Sequence, residues 1–495
     1  MSAFRLLVKN SAANIAAGAA NALLAVVLPP VLVRHLTSAE FSTWSVVLQL
    51  AAVVYVFQFG VQVAVGRYVA YCTARGDTDF RRQIVSTAFA AMWFAALLAL
   101  VVIVAMSTTL PLLFPGMPDA LHREARIALV AIGASLALGL PASVAAGVYS
   151  GLQRNDVPAI FVVASRIIVA VALFALASHG FGLLPMAIAY ASTIGGTALL
   201  QLAVIGARHP EFAFQRAAVT RRAGRELAGY CFSLTIWSVG ILVISGLDAV
   251  IAGALNFSWA GYFGIAASAV TLIVGMQSAM LQPLIAIAAH LHSRGEKRQL
   301  GMLLTDASRI NTLVFLAAIA PFFVAGEWLT RLWVGDVMAQ HVLPIVQVLL
   351  LGVLLRQTLA PFAIILLGTG EQRLVIWTPA YEAVAKLASS IGLGVWLGPV
   401  GVALGTVVGA IVCLATNLTL VFPRVRGFTM PRWTFFRHDI ATPTLAFVPI
   451  LVLPLLNVQP TMSTVLALQA TVVALVMVAA AAMAFASLRR LRALI

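Results

Sequence analysis

The chain has 495 residues, of which 62% are hydrophobic and only 9% charged, and its mean hydropathy is +1.02. A water-soluble domain carries about a quarter charged residues to wet its surface, so this composition excludes a soluble protein and sets most side chains against lipid or other helices. The formal net charge of +15 arises from Lys and Arg gathered in short segments between apolar runs, the pattern of membrane-protein loops and not of a nucleic-acid-binding face.

Apolar runs of about 20 residues, bounded by charge, Gly or Pro, predict an all-α polytopic membrane protein of fourteen transmembrane helices. Arg5 and Lys9 precede a run too long for a signal-peptide core, which is therefore taken as the first span. The first six spans lie near 11–33, 41–65, 84–110, 127–150, 157–178 and 182–206, within an N-terminal lobe of residues 1–207. A basic loop, 208–227, leads to a second lobe, 228–423, with spans near 228–254, 259–288, 304–326, 342–368, 374–397 and 400–422. Residues 424–495 hold a last pair, near 440–457 and 462–487, and a basic tail.

The loops set an orientation. With a cytoplasmic N-terminus the inside segments hold 23 Lys and Arg residues, from Arg5 and Lys9 through Arg75, Arg81, Arg82, the 208–225 cluster and Arg294 to Arg489, Arg490 and Arg492. The outside loops hold four, Arg34, Arg123, Arg126 and Arg331. That asymmetry places both termini in the cytoplasm and requires an even number of spans.

Short polar motifs recur at one spacing. GLQR at 151–154 returns as GEQR at 370–373, ARGD at 74–77 as SRGE at 293–296, Pro141 as Pro361, and the Gly182 entry to the sixth span as Gly401. Offsets of about 219 residues define an internal repeat of six spans, and six being even, the two lobes share one orientation. Two such lobes suit alternating access, in which a cleft between them opens first to one side and then to the other.

Charges inside the membrane cost roughly 3 kcal/mol each and need a partner or a wet cavity. Asp248 falls in the seventh span, Arg166 in the fifth, Arg356 in the tenth, and Glu382 and Lys386 in the eleventh, four residues apart on one helix face. Arg166 and Lys386 stand at equivalent repeat positions, and Arg34 and Arg67 flank the ends of the first two spans. Asp306 and Arg309, at the start of the ninth, read as interfacial. Cys72, Cys231 and Cys413 are widely spaced without a His cluster, so no metal, disulfide or other cofactor is expected. The sequence has no P-loop, so ATP is not the direct energy source through one, and the DTD at Asp77–Asp79, a pattern shared with nucleotide-sugar enzymes, sits in a loop too short for a nucleotide-binding domain, which argues against an enzyme.

The segment VLPPVLVRHLTSAEFSTWSVVLQLAAVVYVFQFGVQVAVGRYVA, ending at Ala70, resembles the opening of polysaccharide exporters of the multidrug/oligosaccharidyl-lipid/polysaccharide (MOP) flippase superfamily. LDAVIAGALNFSWAGYFGIAAS, from Leu247, resembles the start of their second lobe, and GLQRNDVPAI and GPVGVALGTVVG look like two further family stretches; TSAEF departs by lacking the Gly that commonly precedes its acidic residue. The resemblance implies a multi-pass protein of the bacterial cytoplasmic membrane that flips undecaprenyl-diphosphate-linked oligosaccharide to the periplasmic leaflet. Its expected partners are the lipid-linked glycan, membrane lipids, a coupling ion (H+ or Na+) and other polysaccharide-assembly proteins, with no nucleic acid. A diphosphate suits an excess of cations, here Arg34, Arg67, Arg166, Arg356 and Lys386. Some relatives build a sodium site on the seventh and eleventh helices, which points to Asp248 and Glu382 for coupling; Lys386, one turn after Glu382, is expected to supply the cation itself. The alternatives are a drug or small-cation exporter of the same superfamily, with twelve spans and an acidic cleft, and a membrane glycosyltransferase or polymerase.

Overall fold

The first span, α1 (Ala3–His35), runs through Pro29 and Pro30 and ends where Thr37 begins the next helix with a reciprocal cap. The Thr37 hydroxyl accepts from the Glu40 backbone N–H at 3.3 Å, and Glu40 Oε2 accepts from the Thr37 backbone N–H at 2.9 Å. The computed structural model describes residues 3–58, 60–281, 283–427 and 432–452, and no strand occurs among them.

The second span is broken, not continuous. Helix α2 (Ser38–Ala51) passes into a 3-10 turn, Ala52–Gln58, and then α3 (Val61–Arg75), so the helix extends ten residues past the predicted end and carries Arg67 on its shaft. The DTD motif is a helix start: Asp77 Oδ1 accepts from the Phe80 N–H at 3.0 Å, and α4 (Thr78–Leu113) follows. Helices α5 (Asp119–Gly151), α6 (Asp156–Ser178) and α7 (Leu183–Arg208) complete six spans. The basic loop after α7 is fastened to α4, with Gln215 N donating to Ser86 Oγ at 3.3 Å and Thr220 N to Thr87 Oγ1 at 3.2 Å.

The predicted seventh span is also two pieces, α8 (Arg221–Gly246) and α9 (Asp248–Leu255), followed by α10 (Phe257–Leu281). The chain divides into two compact units, Met1–Ser268 and Ala269–Ile495. Helices α8, α9 and the start of α10 group with the first unit because small residues let them approach α2: a methyl at Gly261 would lie 2.9 Å from Ser42 Oγ.

In the second unit α11 (Pro283–Ser293), α12 (Lys297–Val324), α13 (Gly326–Val334), α14 (Asp336–Gln357), α15 (Ala360–Thr369) and α16 (Thr378–Thr416) follow, with α16 kinked at Gly398. Ten helical stretches among the described residues are long and apolar enough to cross a membrane. One of them, Arg373–Arg424, holds both the eleventh and twelfth predicted spans, and the α8/α9 pair carries the seventh. Thr442–Val452 is helical within the predicted thirteenth span, whereas the fourteenth and the tail arginines Arg489, Arg490 and Arg492 lie outside the described residues.

The repeat is visible in backbone hydrogen bonds. In ARGD, Gly76 (φ +70°) closes α3 with Asp77 N donating to Cys72 O at 3.0 Å; in SRGE, Gly295 (φ +71°) closes α11 with Glu296 N donating to Leu291 O at 3.1 Å. Every atom pair is displaced by 219 residues. The GLQR and GEQR turns also share one pattern, but at 217: Arg154 N bonds Tyr149 O and Glu371 N bonds Leu366 O, so Gln153 (φ +58°) stands where Gly370 (φ +80°) does. The letter-for-letter match is therefore two residues out of register. Gly151 is matched in space by Gly368, each pressed against a crossing helix at the Gly66 and Ile285 carbonyls, where a methyl would lie 2.6 and 2.7 Å away. Gly295→Ala is expected to destabilise the second unit by about 1 kcal/mol, since an L side chain disfavours this left-handed cap; detergent-titrated unfolding that matches the parent would remove that assignment.

Candidate functional site

Pro361 sets up the site in the second unit. It lacks an N–H, so the carbonyl four residues earlier, Gln357 O, has no helical donor. The chain breaks there, between α14 and α15, and side chains fill the vacancy: Asn311 Nδ2 on α12 donates to Gln357 O at 2.8 Å, and Gln277 Nε2 on α10 donates to Asn311 Oδ1 at 2.6 Å. In the first lobe the equivalent Pro141 lies inside the uninterrupted α5. The break is thus a feature of the second copy alone.

Arg356 occupies the last turn of α14, where the helix dipole favours a cation. Its Nε lies 3.0 Å from Glu382 Oε1 and 3.3 Å from Oε2 on α16. Glu382 is 2% exposed and Lys386, one turn further and within electrostatic reach of that carboxylate, is 1% exposed. The Cys413 thiol also bonds Glu382, and Asn417 Nδ2 holds the Cys413 carbonyl at 2.8 Å.

Space for these groups comes from a glycine stripe. Gly401, Gly405 and Gly409 recur every four residues on the second half of α16 and pack against the first half, with Ser390 Oγ donating to Val402 O at 3.0 Å across the gap. A methyl at Gly409 would lie 2.9 Å from Lys386 Cβ and 3.5 Å from Glu382 Cγ. Arg356, half-buried, and the buried Glu382 and Lys386 thus lie together around the packed halves of α16.

Of the sequence-predicted residues, the second unit therefore brings together Arg356, Glu382 and Lys386. Arg34, Arg67, Arg166 and Asp248 belong to the first unit. Arg34 is exposed at the end of α1. Arg67 is exposed on α3, its guanidinium 5.0 Å above the Tyr230 ring of α8, and its neighbour Tyr68 donates to Glu226 at 3.0 Å. Arg166, half-buried on α6, donates through Nε to Asn21 Oδ1 of α1 at 2.6 Å. Its repeat equivalent, Lys386, sits beside a carboxylate instead. Asp248 is 7% exposed and begins α9, whose Ala249 and Val250 N–H groups are capped by Gln49 Oε1 at 2.8 and 3.3 Å. It is the first residue of the eight-residue helix Asp248–Leu255. Asp306, read as interfacial, is 2% exposed. Sequence reasoning missed Gln277, Asn311, Cys413 and Gly409; the available signals were amides inside apolar runs and the Gly-x-x-x-Gly spacing.

The family described as "Polysaccharide biosynthesis protein" matches residues 7–289. No curated protein sequence matches the chain. Among solved structures, the fold is similar to "Lipid II flippase MurJ, inward closed conformation" (TM-score 0.74, 13% identity, covering 97% of this chain and 99% of that one). It is similar to an inward-facing multidrug resistance MATE family transporter of the MOP superfamily (TM-score 0.67, 13% identity, 82% and 92% covered). It is likewise similar to the eukaryotic MATE transporter AtDTX14 (TM-score 0.65, 15% identity, 89% and 98% covered). At these identities the likeness establishes the fold.

Proposed function

We propose, from the premise that this chain belongs to the polysaccharide biosynthesis protein family, that it is a flippase moving undecaprenyl-diphosphate-linked oligosaccharide from the cytoplasmic to the periplasmic leaflet of a bacterial inner membrane. The observation that carries the reading is the family match joined to a MOP-transporter fold over nearly the whole chain. Both termini are cytoplasmic, and the lobes 1–207 and 228–423 rock in alternating access, with the last helix pair appended. Arg34, Arg67, Arg166, Arg356 and Lys386 serve the diphosphate. Glu382 with Lys386, and Asp248, serve coupling. The five candidate cations, against Asp248 and Glu382, favour an anionic cargo over the small cations of a drug exporter.

Deleting the gene and measuring lipid-linked oligosaccharide on each leaflet tests the reading. Cytoplasmic-leaflet accumulation supports it, and loss of synthesis would replace it with an enzyme. Arg166→Glu is expected to abolish export; unaltered export removes Arg166 from the path. Coupling has its own test, because Lys386 supplies a built-in cation beside Glu382. Flipping by the parent is expected to be indifferent to sodium and Lys386→Ala to make it sodium-dependent, and equal sodium responses in proteoliposomes would refute that role.

A further inference from the structure

The first unit holds a cleft of about 510 Å³ where the start of α2, the α4–α5 loop and the α9–α10 junction meet. Helix α4 joins this cleft to the basic α3–α4 turn through 36 residues, a rise of about 54 Å, more than the thickness of a bilayer with its headgroups. The cleft therefore opens on the face opposite the basic loops. Its walls carry no charged side chain. They carry Ser38 and Ser42, the amide of Asn256 and Ser258, whose hydroxyl donates to Asn256, beside the apolar surfaces of Pro115 and Phe257.

Two details point to a ligand. Thr43 and Ser45 return their hydroxyls to the Ala39 and Phe41 carbonyls, as helical hydroxyls in apolar surroundings do. Ser42 does not. Its Oγ is buried, the residue is 1% exposed, and no hydrogen-bond partner meets it among the described residues. A buried hydroxyl left unmade costs about 1–3 kcal/mol, a cost that a ligand hydroxyl removes. Asn256 spends its carbonyl oxygen on the Ser258 N–H (3.1 Å) and hydroxyl (2.7 Å), which turns its amide into a pure donor toward the cleft.

We infer that this cleft is a binding site for a neutral saccharide. Hydroxyl and amide donors without charge match sugar hydroxyls, and the proline and phenylalanine surfaces match the apolar face of a pyranose ring. Its volume lies within the ordinary range for small-ligand pockets. Resting on the flippase reading, the site receives the glycan end of the cargo on the far side of the membrane, distant from the cations that suit its diphosphate.

The test uses the full chain in lipid nanodiscs and saturation-transfer NMR with three neutral probes, sucrose, lactose and N,N′-diacetylchitobiose, and with a glucuronic-acid disaccharide. At least one neutral probe is expected to bind, and to bind better than the acidic one. Ser42→Ala is expected to weaken it about fivefold, the share of one hydrogen bond. Ala254→Trp, which fills the cleft from the α9 wall, is expected to weaken it at least tenfold; should it fail to fold, Ser38→Ala together with Ser42→Ala carries the same expectation. No binding by any neutral probe, preference for the acidic disaccharide, or binding unchanged in every variant overturns the site. Flipping of lipid-linked precursor is measured separately in proteoliposomes. Saccharide binding without any flipping keeps the cleft and rejects the flippase; flipping without saccharide binding does the reverse.

Discussion

Glu382→Ala is expected to abolish transport and to destabilise the second unit by about 3–5 kcal/mol, the cost of breaking a buried ion pair by removing one partner. Arg356 then loses the carboxylate 3.0 Å from its Nε, and Lys386 loses the anion one turn before it on α16, in surroundings where both Glu382 and Lys386 are almost wholly buried. Glu382→Gln retains shape and one acceptor, and is expected to recover part of the stability and none of the coupling. The triple variant Arg356→Leu/Glu382→Leu/Lys386→Met separates structure from function, because apolar side chains of similar volume restore stability where an isolated buried charge does not. Its folding is expected near the parent's in a detergent titration while flipping stays absent. Normal flipping by that triple variant would show the three charges to be scaffold only.

The second large effect lies in the hairpin of α16. A methyl at Gly405 would lie 2.6 Å from the Ser390 backbone nitrogen, so Gly405→Ala must push the two halves of the helix apart. The expected loss is about 2 kcal/mol, in the range of overpacking a close-packed contact. Transport should fall with it, because the same separation draws Gly409 away from Glu382 and Lys386. Gly392→Ala is the control on the same helix: nothing lies within 4 Å of a methyl there, so its expected effect is zero or a gain of about 0.5–1 kcal/mol from helix propensity. If Gly392→Ala and Gly405→Ala behave alike, the glycine stripe does not set the helix separation.

These contrasts also show where sequence information ends. Hydropathy and charge placement by themselves determined a polytopic helical membrane protein and the approximate place of twelve spans, because transfer to lipid is decided residue by residue and needs no partner. The repeat was legible for the same reason in ARGD and SRGE, whose glycines answer a local backbone demand for positive φ. Helix breaks were not. Those at Leu247 and Gln357 depend on who satisfies the freed backbone groups, Gln49 as acceptor in one case and Asn311, held by Gln277, as donor in the other, and these partners lie 46 to 201 residues away. Register failed similarly at GLQR, where the letters matched at 219 residues and the turn at 217, since a helix crossing fixed Gly151 against Gly66 and Gly368 against Ile285. The candidate charges could be named from sequence because each is costly in lipid wherever it sits. Only tertiary structure decided that Arg356 and not Lys386 alone neutralises Glu382, that Arg166 bonds Asn21, and that Ser42 is buried without a hydrogen-bond partner among the described residues, because pairing depends on distances between helices that no single helix encodes.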